Sequence, residues 1–381
     1  MADLDRGRTL PNDEQPRPAL DGRAQRLLVW LIAIGLFLLW MLNWASLSLT
    51  RQAAQATPTP QVGPGQSVQF SVDEFWGTAE YVLPALLEDG LTVDNLHRET
   101  SAAFYYQYYL PSENVDTGWT GSYAKCREGS TAQALRDAVV LRINYFRAMA
   151  GVPAGITLDD EMNVAAQKAA LLMAANGRVS HAPEANWRCY SEIADRAAGS
   201  SNLYAGYYGP RAIDGYIEDP GSMNYHVPHR RWLLFPNTRV MGTGDIPPEG
   251  DYIGANALLV WGPRSRERPQ TRDGFVAWPP PGYVPYSVVF PRWSFSYPDA
   301  DFRQASLSMT RGDEGILLTV HPLNGGFGEN TVVWEPQLPL GVAPERDIWY
   351  TVHIYDVLIN GVSTDFTYTV ILFDPSKPYE P

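Results

Sequence analysis

The sequence predicts an α+β protein in three parts: a membrane-spanning helix, a helical middle third closed by a small sheet, and an all-β C-terminal sandwich. Three observations carry this reading. A charge-free apolar run fills residues 27–50, apolar residues recur at helical spacing between residues 133 and 176, and short alternating or β-branched runs recur every 8–15 residues from Arg292 onward. Length and composition agree. A chain of 381 residues has room for two or three domains, and 45% apolar with 19% charged residues describes a folded protein, neither disordered nor a coiled coil. The net charge is −13, only three of the 29 basic residues are lysine, and no basic run exceeds Arg230-Arg231, so a nucleic-acid footprint is missing. The 12 Trp and 21 Tyr favour well-packed β layers or binding surfaces, because these rings bury a large area yet keep a polar tip.

The N-terminal run from Leu27 to Thr50 lies between Arg26 and Arg51. As a helix at ~1.5 Å per residue it reaches ~36 Å, enough for a hydrocarbon core of ~30 Å, with Trp30, Trp40 and Trp44 as interface anchors. Arg6, Arg8, Arg17, Arg23 and Arg26 precede it and few basic residues follow, which puts the N-terminus in the cytoplasm and the bulk of the chain outside. A cleaved signal peptide is the alternative, with small residues at Ala53 to Ala56, but the long leader and long apolar run favour a retained single-pass signal-anchor. The expected organisation is a cytoplasmic tail (1–26), the anchor (27–50), a Pro/Gly-rich linker (51–67), a lead-in of mixed helix and strand (68–125), a central domain (126–263) and a β-sandwich (272–381). The ectodomain has no Asn-x-Ser/Thr sequon, which leans toward a bacterial surface protein.

In the central domain, Leu135, Val139, Ile143, Phe146 and Ala150 define a helix that Gly151 ends. Asp159 or Asp160 caps a second, Ala-rich helix that stops at Asn176-Gly177. Pro210 starts a short helix through RAIDGYIED, and a helical turn from His229 to Phe235 stops before Pro236. Arg239 to Thr243 and Ala257 to Trp261 read as strands. Cys126 and Cys189 flank the first two helices, and an extracytoplasmic pair oxidises, so a disulfide is expected; neither cysteine has the CxxC spacing of a redox or metal site.

Only His181, in VSHAP, and His229, in VPHRRW, stand in contexts that suggest a site, with His226 as a neighbour. The order NYFRAMAG (144–151), ITLDDEMNVAAQKAALLMAANGRVSH (156–181), SNLY (201–204), AIDGYIED (212–219) and HRRWLLFPNTRVMGTG (229–244) resembles the CAP superfamily, the cysteine-rich secretory, antigen five and pathogenesis-related proteins, also known by their SCP domain. The resemblance implies an α-β-α sandwich, an extracellular setting and a cleft lined by two histidines and two acids, in which some members bind a divalent metal such as zinc. Carried over by residue, the histidines are His181 and His229, which makes them the zinc candidates. The first acid falls at Ser201, beside Asn202, and the second at Asp219, with Glu218 as its neighbour; Pro228 replaces a glycine. Zinc is held best by three or four ligands, and two or three can be named here.

Chemically, His181, His229 and Asp219 could do acid–base work or activate a metal-bound water. No serine or cysteine nucleophile stands in a known motif, and GxSxG, HExxH and P-loop patterns are all missing. The expected function is therefore a non-enzymatic binding or interaction module, with a lipid or other small apolar ligand as the relatives of the resemblance suggest. A metal-assisted hydrolase and a structural protein with a vestigial cleft are the alternatives. In the C-terminal part, alternation puts Tyr350, Val352, Ile354 and Asp356 on one face of a strand, within an immunoglobulin- or fibronectin-like sandwich of about seven strands. The acidic runs Asp159-Asp160-Glu161 and Asp313-Glu314 lack a calcium-loop pattern.

Overall fold

The structure, a computed structural model, describes residues 90–378; the anchor at 27–50 and the linker at 51–67 lie outside the described residues. Among those described, no helix is long and apolar enough to cross a membrane.

The described chain starts with α1 (Arg98–Phe104), continues through a π-helical turn over Tyr105–Tyr109 and ends this stretch in a 3-10 turn over Leu110–Ser112. The aromatic string sets this geometry: Phe104 stacks on Tyr145 at 5.3 Å and Tyr109 lies 5.1 Å from the same ring. The strand expected in the lead-in is replaced, within residues 90–125, by isolated bridges of Leu91 to Ala154 and Ser122 to Arg127.

The two main helices follow their local signals. In α2 (Gln133–Met149), Leu135, Val139, Ile143 and Phe146 are buried, and Gly151 takes a left-handed φ of 71° just beyond the end. In α3 (Asp160–Asn176) it is Asp159 that caps, accepting from the Met162 amide, and Gly177 is left-handed. A helix not expected from the sequence, α4 (Glu192–Gly199), is capped by the Ser191 side chain. Then come α5 (Pro210–Glu218) and α6 (Pro228–Leu233), both with proline in the first turn. Between the helices, β1 (Thr157–Leu158), β2 (Ser201–Ala205), β3 (Val240–Ile246) and β4 (Ala255–Leu259) form a sheet in the order β1-β3-β4-β2.

Helices cover both faces of this sheet. On one side Ala257 and Leu259 join the cluster of α3 and α4 alanines; on the other Met241 and Leu258 pack with α2 and α5. The result is an α-β-α sandwich. Close packing depends on MGTG in β3: a Cβ on Gly244 would come within 2.2 Å of the Ala166 carbonyl carbon, so any larger residue would push α3 off the sheet. Cys126 and Cys189 form the disulfide, with Cα atoms 5.0 Å apart.

Downstream lie β5 (Val276–Trp278), β6 (Gly282–Pro285), β7 (Trp293–Tyr297), β8 (Ala300–Asp301), β9 (Ser306–Arg311), β10 (Glu314–Gly315), β11 (Leu318–Val320), β12 (Asn330–Pro336), β13 (Ile348–Ile359) and β14 (Val362–Phe373). They make one sheet ordered β10-β9-β13-β14-β6, with β8 also on β13, and a second ordered β11-β12-β7-β5. Ten strands thus stand where about seven were expected. The Pro-rich WPPPGYVP, expected to lack regular structure, contributes β5 and β6 around its prolines, because β5 is a sheet edge and β6 pairs only with β14. The alternation in β13 holds for Tyr350, Val352 and Ile354, which are buried, and fails at Asp356. A bulge between Ile354 and Val357, with Asp356 at φ 57°, puts Val357 inward instead.

The described residues, 90–378, belong to one compact unit, and one hydrophobic cluster runs from α2 and α5 into both β-sheets. Phe146 meets Trp278 edge-on at 5.1 Å, and the Arg230 guanidinium donates to Ser294 Oγ at 3.0 Å. The change of texture after Pro263 is a change of architecture within this unit.

Candidate functional site

The site is built where α5 ends and α6 begins. Asp219 sits in the left-handed conformation at the end of α5 and is fully buried. Its Oδ1 accepts from His229 Nδ1 at 2.7 Å, while Oδ2 accepts the amide N–H groups of His229 and Arg230 at 2.8 and 3.2 Å. The residue preceding α6, Val227, has no side chain able to cap it, so Asp219 supplies the missing acceptor from a distant position in sequence. A carboxylate that accepts from Nδ1–H orients the ring, and in the neutral imidazole this tautomer carries the lone pair on Nε2. The His229 side chain is 17% exposed, against 0% for Asp219.

Around this pair, Asn202 donates its side-chain amide to the His229 carbonyl at 3.0 Å. Tyr216 hydroxyl bonds Asn202 O at 3.0 Å and Asn256 Oδ1 at 2.7 Å, and its ring lies 5.5 Å from the His229 imidazole. Burial raises the Tyr216 hydroxyl well above its ordinary range, so it stays a neutral donor. Arg230 is buried against Ile217 O and Ser294, and the cost of desolvating its charge brings it down to about 9. From the β-rich C-terminal part, Arg292 reaches the Asp219 carbonyl, Gly221 O and Asn224 O.

The other expected site residues have different duties. Ser201 is buried at the start of β2 and gives its hydroxyl to Ala197 O at 2.7 Å, closing the last turn of α4. Glu218 is half-buried and its carbonyl faces Arg230, so of the two neighbouring acids Asp219 is the one that meets His229. His181 is exposed and bonds Ala198 O through Nδ1 at 2.9 Å. His229 thus meets Asp219, whereas His181 is tied to the end of α4. The donor set does not suit zinc: both Asp219 oxygens are occupied, Ser201 is turned into a helix end, and no group of three or more His, Cys, Asp or Glu is placed to hold a metal ion among the described residues.

Sequence reasoning missed Arg292, Tyr216 and the full environment of His226. Arg292 lies 63 positions after His229 in a region read only as strand, and no local pattern could have tied it to Asp219. His226 was named as a neighbour alone; the structure buries it to 9% exposure with both ring nitrogens lacking a hydrogen-bond partner.

The fold and the site are thus an α-β-α sandwich in which a buried carboxylate holds a histidine at a helix start. Residues 140–252 match the family model of CAP, the cysteine-rich secretory protein family, and the central part of the chain is a CAP domain. Among solved structures, the methionine-rich copper resistance protein PcoC of Escherichia coli is similar over 25% of this chain and 92% of its own, at 14% identity and a TM-score of 0.21. No curated protein matches.

Proposed function

We propose that this is a membrane-anchored, extracytoplasmic CAP-domain protein that acts as a binding or interaction module at the His229–Asp219 cleft, with a lipid or other small apolar molecule as ligand. One observation carries the reading of the cleft: Asp219 spends both oxygens on positioning His229 and capping α6, so the acid serves the shape of the cleft and is not free for metal or substrate. The anchoring and the outward topology rest on the apolar run at 27–50 and the arginines before it. The Cys126–Cys189 bridge supports an oxidising compartment.

The test uses the full-length protein in nanodiscs with a fluorescent fatty acid and a fluorescent sterol. Saturable binding that His229→Ala weakens supports the reading; binding no better than to empty nanodiscs removes the apolar ligand. The orientation of His229 favours one second reading, that Nε2 acts as a general base in a hydrolase. Turnover of ester or amide substrates that His229→Ala abolishes would replace the binding reading.

A further inference from the structure

His226 stands just before His229 in sequence and belongs to none of the contacts above. Its ring is covered by Phe327, 4.7 Å away, and flanked by Tyr225 at 4.9 Å. Phe327 belongs to the loop between β11 and β12 and sits in the sequence Gly325-Gly326-Phe327-Gly328. Gly326 and Gly328 have φ of 87° and 65°, and Gly325 and Gly326 have open space where a side chain would be, so the segment can swing with little steric resistance. Arg231, from α6, grips both ends of the loop, donating to Asn324 O at 2.7 Å and Glu329 O at 2.9 Å. The Glu329 carboxylate is also paired with Arg268. The base of the loop is therefore clamped by hydrogen bonds, while its tip is held through Phe327 alone, on an imidazole that has no hydrogen bond and beneath the Arg231 guanidinium 5.6 Å from the ring.

The chain is also strained at this point. Val227, next to His226, has φ 46° and ψ 53° although it is β-branched and precedes a proline. Such conformations cluster at sites that move or bind, and this one fixes His226 beneath Phe327.

We infer that residues 324–329 form a pH-sensitive flap, seated through Phe327 on neutral His226 and released when that histidine takes up a proton. The groups facing His226 come from every neighbouring element. Arg231 and His229 from α6 and Arg292 before β7 oppose a positive charge there, and only Asp219, after α5, favours it. Tyr225 on the same segment and Phe327 on the loop carry no charge, and the nearby His321 packs on Tyr225 and bonds Glu335 at 3.1 Å. Burial and these cations hold His226 below its ordinary value of 6.5 while the flap is closed. With the flap open, the ring is solvated and returns toward 6.5. Above that range both states keep the ring neutral and closure is unopposed; as pH falls below it, only the open state gains the proton, and the closed fraction declines.

The experiment is hydrogen exchange of full-length protein in nanodiscs at about pH 7.5 and about pH 5.5, corrected for intrinsic exchange, together with an NMR titration of His226. Protection of the 324–329 amides is expected to fall several-fold at the lower pH, and His226 is expected to titrate below 6.5. His226→Phe and His226→Gln should each make the protection independent of pH, and His321→Gln should leave the dependence intact. The inference is overturned if His226 titrates at or above 6.5, if either His226 variant keeps the wild-type pH dependence, or if His321→Gln removes it. The titration of the wild-type ring decides the matter if both variants fail to fold. None of these readouts depends on what the cleft binds.

Discussion

Asp219 and His229 are joined twice, through the imidazole Nδ1 at 2.7 Å and through the His229 amide at 2.8 Å, so one buried carboxylate orients the ring and caps the helix that carries it. Asp219→Ala is expected to cost about 2–4 kcal/mol, combining the lost cap with unpaired buried donors. Asp219→Asn should cost less, since an amide oxygen can still accept from the backbone. Urea unfolding of the two variants checks the order, and equal costs would show that an amide oxygen restores none of the cap and that the carboxylate charge itself is required.

Val227 offers a test of backbone strain. In an ordinary position Ala is more favourable than Gly, but at a left-handed φ of 46° the order reverses. Val227→Gly should therefore be more stable than Val227→Ala by about 1 kcal/mol, although both lose the same buried side chain. Thermal melts of the pair measure this directly.

The Cys126–Cys189 bridge spans 63 positions. On the chain-entropy argument, the Cys126→Ser, Cys189→Ser double variant should lose about 4 kcal/mol relative to the oxidised protein. Guanidinium unfolding with and without reductant checks it: reductant should destabilise the wild type and leave the double variant unchanged.

Because Phe146 packs on Trp278 and Arg230 bonds Ser294, the CAP domain and the β-rich C-terminal part share a core. Phe146→Ala should destabilise by about 3–5 kcal/mol and lower the melting of both parts together. A fragment ending at residue 263 should have much lower stability than the longer chain; two separate calorimetric transitions in the intact protein would contradict the shared core.

The elements that were readable in sequence are those with strong local signals. The Asp159 cap and left-handed Gly177 bracket α3, and a heavy apolar stripe marks α2. The helix that was missed, α4, buries only Ala194, Ala197 and Ala198, which give no hydrophobic contrast against a loop. The bulge at Asp356 was invisible for a related reason: alternation predicts a regular strand, while the extra residue is accommodated by pairing with Ser363 and Asp365 on β14.

The sequence by itself determined α2, α3, α5 and α6 of the central domain, the cap and stop of α3, the likeness to the CAP superfamily and, through that likeness, the candidacy of His181, His229 and Asp219. The helices follow from spacing along the chain, where periodicity and capping act over a few residues, and the site residues from the order of motifs that the resemblance matches. Only the tertiary structure decided that Asp219 is fully spent on His229 and α6, that Ser201 closes α4, that Arg292 grips the Asp219 turn, and that Phe327 lies over His226. Those contacts join residues that in the last two cases are 71 to 101 positions apart. These last two depend on how the β-rich C-terminal part packs on the CAP domain, and that packing is set by shared burial of side chains from both parts, which no local pattern encodes.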